Sequence, residues 1–261
     1  MATQSTFDYT KNGHGSKAAS SVQQIAQQTR FELLLTARRG ENVLVTLIIP
    51  VLLFVFFASL NLAPSQNGSS ANFLLPGILA IAIMAAGMVN LGIATAYERY
   101  YGVLKRLGSS PLSRSGLISA KIVSILILEL VQVLLLVGAA VAFYGWRPMG
   151  SLGLTLLAIV LGTITFAGLG LAMAGALRAE MTLAGANALF LVFILLGGGI
   201  LPLDRLPAPI AAISQILPET ALTQALQQTM GSGGFPGGAF LTLAVWAVIV
   251  LAVATRTFKW E

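Results

Sequence analysis

Residues 42–97 read NVLVTLIIPVLLFVFFASLNLAPSQNGSSANFLLPGILAIAIMAAGMVNLGIATAY, 56 consecutive positions without a charged side chain. About 20 helical residues cross a hydrocarbon core of roughly 30 Å, so this run is too long for one span. The polar stretch APSQNGSSAN at 63–72 divides it. Two spans are expected, near 43–62 and 73–97, joined by a tight turn. Further uncharged or nearly uncharged runs predict spans at about 117–143, 152–177, 182–201 and 238–254. The fold class that follows is an all-α polytopic membrane protein with six transmembrane helices.

Composition leads to the same class. Hydrophobic residues make up 56% of the 261 and charged ones 9%, where soluble domains carry about 25% charged residues. Fifteen basic and 9 acidic side chains cannot cover the surface of a soluble fold of this length, so lipid must replace water over much of it. The net charge of +6 sits in short clusters between apolar runs, not along one polar face. It reads as a topology signal, and no nucleic-acid partner is expected. Cysteine is absent, which removes disulfides and thiolate chemistry, and the single histidine, His14, lies in a polar Gly/Ser/Lys stretch.

Lysine and arginine in the loops set the orientation. Alternate segments from the N-terminus hold 5, 5, 1 and 2 basic residues, Lys121 counted with the second, and the intervening ones hold 0, 1 and 1. Both termini are therefore expected in the cytoplasm, with 98–116 cytoplasmic and 202–237 external. Residues 1–20 read as a disordered cytoplasmic tail without a secretory signal. Residues 21–40 read as an amphipathic interfacial helix, with Val22, Ile25, Ala26, Thr29 and Leu33 along one side. Residues 41–261 form the transmembrane domain.

The loop ERYYGVLKRLGSSPLSR at 98–114 is the most informative of the connections. Val103, Leu104 and Leu107 make a short apolar stripe beside Lys105 and Arg106, and Gly108 to Pro111 stop the helix. Such a helix, held between two long spans, suits docking into a groove on a soluble partner; a solvated turn with cationic flanks is the other reading. Neither Leu104 nor Leu107 falls in a predicted span, so aspartate at both is expected to leave the fold intact. An ion pair with Arg99 or Arg114 is expected to anchor Glu98.

Between the fifth and sixth spans, GGGILPLDRLPAPIAAISQILPETALTQALQQTMGSGG at 197–234 is cut by Pro202, Pro207, Pro209 and Pro218. Helical pieces near 208–217 and 219–230 are too short to cross, so re-entrant or interfacial helices are expected, Gly199 standing at the entry. Glu129 is the acidic residue well inside a predicted span, with Gln132 one turn further on. Either they belong to a substrate or coupling site or they make an interhelical hydrogen bond, and Asn90 and Asn187 carry the same two readings. The glycines and alanines of the fourth span, Gly162 to Ala176, favour close helix packing, and Pro50 interrupts the hydrogen bonding of the first. No GxxxxGK[ST] phosphate loop and no recognisable catalytic set occurs, so this chain is read as non-catalytic.

FLLPGILA at 73–80 and ERYYGVLKRLGSSPLSRSGLISAK at 98–121, followed by GGGILPLDRLPAPI, Pro218 and the ending TFKWE, resemble in their order the membrane-spanning subunits of type-2 ABC exporters. The daunorubicin-exporter-like permeases are the nearest subclass. Glu98, Arg99, Gly102, Leu104, Arg106, Leu107, Pro111, Arg114 and Lys121 carry the match in the cytoplasmic coupling segment, and Tyr100 stands where that family has an acidic residue. The resemblance implies a half-transporter of the inner (cytoplasmic) membrane that dimerises with a second permease subunit, alike or different. Two cytoplasmic ATPase subunits would bind ATP and Mg, this chain holding no cofactor. The N-terminal helix and the loop, Val103 included, would meet the ATPase, and the substrate would be hydrophobic or amphipathic. An ion-coupled secondary transporter using Glu129 and a non-transport membrane scaffold remain the alternative functions.

Overall fold

The computed structural model describes residues 20–38, 40–60, 70–110, 112–200, 202–231 and 234–258. The expected tail before Ser20, most of the turn at 63–72, Pro111 and the end of TFKWE lie outside them. Among the described residues the secondary structure is helical, without strands. Helix α1 runs Ser21–Arg38 and opens with a reciprocal cap. The Gln23 N–H donates to Ser20 Oγ at 3.3 Å and the Ser20 N–H to Gln23 Oε1 at 3.1 Å.

The first apolar run forms α2, Gly40–Ser59, and the second forms α3, Ser70–Met84, which passes through a π turn at Ala85–Leu91 into α4, Gly92–Tyr100. After α5, Val103–Gly108, come α6, Arg114–Tyr144, α7, Leu152–Ala176, and α8, Ala179–Leu196. A 3-10 turn at Leu203–Arg205 precedes α9, Ala208–Ser214, α10, Pro218–Met230, and α11, Gly237–Thr257. Among the described residues, five continuous helices are long and apolar enough to cross a bilayer: Ser70–Tyr100, α6, α7, α8 and α11. Helix α2 is shorter in its apolar part, Leu44–Ser59. Exposed Leu134, Leu152, Leu241 and Val248 turn outward from these helices, as lipid contact requires. The chain is a multi-pass membrane protein.

Several boundaries differ from expectation by a few residues, and two of these bear on the site. The fifth span ends at Leu196, not near 201, because three glycines follow and Gly198 takes a φ of +75° that a helix cannot continue. The second span extends to Tyr100, so that Glu98 and Arg99 lie within its last turn.

Helix α7 is the hub of the bundle, and its small residues serve the close approach their spacing predicts. A Cβ on Gly170 would stand 2.7 Å from the Gly87 carbonyl of the π turn, and one on Gly162 2.7 Å from Leu222 Cδ1 of α10. The prolines divide the 197–234 segment into unlike parts. Pro218 opens α10, whose Ala221, Leu222, Ala225 and Leu226 are buried with Leu75, Leu79 and Phe166 in the main core. Helix α9 remains on the outside with Ile210 and Ile213 exposed. Pro202 and Pro207 flank the 3-10 turn that precedes α9, and Gly199 meets Gly77 backbone to backbone.

Candidate functional site

At the last turn of the second span two neighbouring side chains point to opposite partners. Lys121 on α6, 1% exposed, places Nζ 2.7 Å from Glu98 Oε2 and 3.0 Å from Glu32 Oε1 on α1. Arg99 instead donates to the carbonyls of Gly175 at 2.7 Å and Leu177 at 2.5 Å, satisfying the open C-terminal end of α7. This corrects the expected pairing of Glu98 with Arg99 or Arg114. Arg99 is occupied by α7, and Arg114 is exposed at the start of α6.

The cluster also decides which face of α1 turns inward. Gln28, Thr29 and Glu32 are buried, Gln28 Nε2 donating to Glu32 Oε1 at 2.9 Å and the Thr29 hydroxyl to the Ala120 carbonyl at 3.4 Å. Val22, Phe31 and Leu34 are exposed, so the amphipathic helix docks on α6 by a polar stripe and leaves apolar side chains outward. Burying Glu32 is tolerable because Lys121 and Gln28 satisfy it together.

Beyond Arg99 the chain turns through Gly102, whose φ of +71° favours glycine, into α5. Leu104 is 1% exposed, in a core with Leu117, Ile118 and Phe258, and Leu107 packs at its edge. The expected outward stripe is thereby corrected. Of its three members Val103 faces out, and a buried aspartate at 104 would disrupt the fold. The outward surface is instead Tyr100, Tyr101, Val103 and Arg106, with the Tyr101 ring stacked on Tyr97 at 6.1 Å and edge-on to Tyr100 at 5.2 Å. Pro111 lies outside the described residues.

Deeper in the bundle, a cavity of about 320 Å³ opens between α2, the second span and α8, within the size range of small-molecule sites. Ile81, Val89 and Phe190 line it with the polar residues Thr46, Asn90, Gln132 and Asn187, and among the described residues no ionisable side chain takes part. Asn90 Nδ2 donates to Thr46 Oγ1 at 3.0 Å and Gln132 Nε2 to the Thr46 carbonyl at 2.5 Å, whereas Asn187 bonds its own helix at Leu183 O, 2.8 Å away. Thr46 and Asn90 also line a smaller space of about 70 Å³ that reaches Glu32, Glu98 and Lys121. Glu129 stands apart from both cavities. It is fully buried, and the hydroxyl of Thr163 on α7 bonds its Oε2.

At the opposite end of the bundle, Glu219 in the first turn of α10 is fully buried beside Gly197. Its Oε1 accepts from Thr223 at 3.4 Å and its Oε2 finds no donor among the described residues. Burial pushes its carboxyl up to about 8. Folding therefore gains from this group fully below its ordinary value of 4.5, and the gain is lost as pH rises through about 8. We expect the melting temperature of the purified subunit to fall as pH is raised across that interval. Glu219→Gln should flatten the profile; an unchanged slope would show that another group titrates.

Sequence reasoning groups Glu98 and Arg99 with the coupling loop but does not find Glu32, Thr46, Thr163 or Glu219 as site residues. Lys121 enters it only as a matching position. A lysine just inside a predicted span is the one signal that pointed to a buried ion cluster.

The sequence profile of the ABC-2 type transporter family matches residues 23–230. The chain belongs to that family. Among relatives, the "Probable multidrug ABC transporter permease YbhS" of Escherichia coli (strain K12) is 28% identical over 193 residues, 73% of this chain and 51% of the relative. The "Putative transport permease YvfS" of Bacillus subtilis (strain 168) is 26% identical over 204 residues, 74% of this chain and 80% of the relative. The chain thus spans about half the length of the Escherichia coli protein. It is a membrane-spanning member of the ABC-2 type transporter family.

Proposed function

We propose that this chain is the transmembrane half of an ATP-driven exporter, working with a second permease subunit and with ATPase subunits that bind ATP and Mg. It lies in the cell membrane with both termini and α5 in the cytoplasm, and its route carries a hydrophobic or amphipathic substrate. The observation that carries this reading is the corner after the second span. Glu98 is tied through Lys121 to α6 and α1, and Arg99 to α7, while Tyr100 at the end of α4, Tyr101 in the turn and Val103 at the start of α5 are presented outward. A surface anchored to several spans transmits force to all of them, which a simple connecting loop does not.

The apolar cavity supports the substrate class, since among the described residues its lining has no group to neutralise a buried charge. Ion coupling through Glu129 gains no support from its enclosure between α6 and α7, away from both cavities. The test is reconstitution with the co-purified ATPase in lipid vesicles, following a lipophilic dye. We expect dye movement to require ATP hydrolysis; movement without any ATPase, driven by a proton gradient, would refute the exporter reading.

A further inference from the structure

Helix α2 continues through Pro50 without a break. In an α-helix the N–H of residue 50 would bond the carbonyl of residue 46, and proline has no N–H to give. The carbonyl left open is that of Thr46, and it is the carbonyl that Gln132 of α6 reaches at 2.5 Å. Gln132 is 1% exposed and Thr46 is 8% exposed, and an open carbonyl at membrane depth is costly. The hydroxyl of the same residue accepts from Asn90 at 3.0 Å, and Asn90 lies in the π turn of the second span. Pro50 and the π turn, two places where the spans depart from regular helical bonding, are joined at Thr46.

We propose that Gln132 is a positioning residue whose side-chain amide replaces the backbone N–H missing at Pro50, latching the first span to the third at the wall of the cavity. With Asn90 on the other side, Thr46 links α2 to the two helices that carry Lys121 and Glu98. Gln132 follows Lys121 by 11 residues on α6, about 16 Å along the axis. A movement of the ion cluster reaches the cavity through these two hydrogen bonds. The transport part of this inference rests on the exporter reading; the hydrogen-bond part does not.

The test is a double-mutant cycle with Pro50→Ala and Gln132→Met. Gln132→Met alone strands the Thr46 carbonyl, and the melting temperature of the purified subunit should fall by about 3 °C. In the Pro50→Ala background the backbone at position 50 supplies the N–H, and the same change should leave melting unaltered. Equal losses in both backgrounds would overturn the assignment. In lipid vesicles with the ATPase, the double variant should regain stability but not transport per ATP hydrolysed, because the first span is no longer tied to the third. Full recovery of transport alongside stability would reduce Gln132 to a structural contact and overturn its positioning role. If the parent protein moves dye without ATP, the exporter reading fails, and the melting cycle still decides the hydrogen bond.

Discussion

Lys121→Met is expected to free α1 from the bundle and to abolish binding of the ATPase. The substitution keeps the length of the side chain but leaves Glu98 and Glu32 facing each other without the ammonium that lies 2.7 and 3.0 Å from them. Breaking a buried ion cluster by removing one partner costs about 3 to 5 kcal/mol, a large share of the stability of a small domain. The effect should fall first on α1, whose buried stripe is polar and whose exposed side is apolar. Limited trypsin digestion reads it directly, since Arg30 and Arg38 on α1 are exposed and should be cut faster once the helix detaches. Replacing all three residues with neutral counterparts, Glu32→Gln, Glu98→Gln and Lys121→Met, should recover much of the stability, because no charge remains stranded. Unchanged digestion and melting in the single variant would show that the cluster does not hold α1.

The second large effect is expected at the outward corner. Tyr100→Ala, Tyr101→Ala and Val103→Asp together should leave melting within the range of the parent and remove ATPase pull-down. These side chains are 65%, 69% and 39% exposed, so the fold does not depend on burying them. Aromatic anchors at interfaces cost about 2 kcal/mol or more each when truncated, so losing the pair lowers affinity by well over tenfold. Leu104→Asp should act in the opposite way. It places a charge in the core with Leu117 and Ile118, and expression and melting should suffer before any question of partner binding arises. Full pull-down by the triple variant would mean that the corner is only a turn.

The apolar runs are legible in the sequence because lipid imposes a length and excludes charge, and these two constraints leave little freedom over residues 42–97 or 117–143. The helices expected at 208–217 and 219–230 are legible too, since prolines mark their starts, although α9 ends early, at Ser214. What composition does not reveal is which face of a short helix turns inward. Val103, Leu104 and Leu107 look alike as a stripe, and only the packing of α6 and of Phe258 separates the buried Leu104 from the exposed Val103. In the same way Glu32 and Lys121 are 89 residues apart, and nothing local says that a polar stripe on α1 closes over a lysine in the third span. Asn90 and Gln132 are visible as polar residues at membrane depth, but their common target is Thr46, whose backbone carbonyl is freed by Pro50. That relation exists only once α2, the second span and α6 are side by side. Glu219 follows a proline at a helix start and so reads as an ordinary first-turn acid; its burial beside Gly197 is a tertiary effect.

The central claim, that the corner after the second span is where the ATPase docks, is tested most directly by site-specific photocrosslinking in intact membranes. A photoreactive amino acid in place of Tyr101 should give a crosslink to the ATPase subunit, and the same probe at the exposed Ile213 of α9, at the opposite end of the bundle, should give none. A crosslink to the ATPase from position 213, or its absence at 101 in a complex that still hydrolyses ATP, would contradict the account.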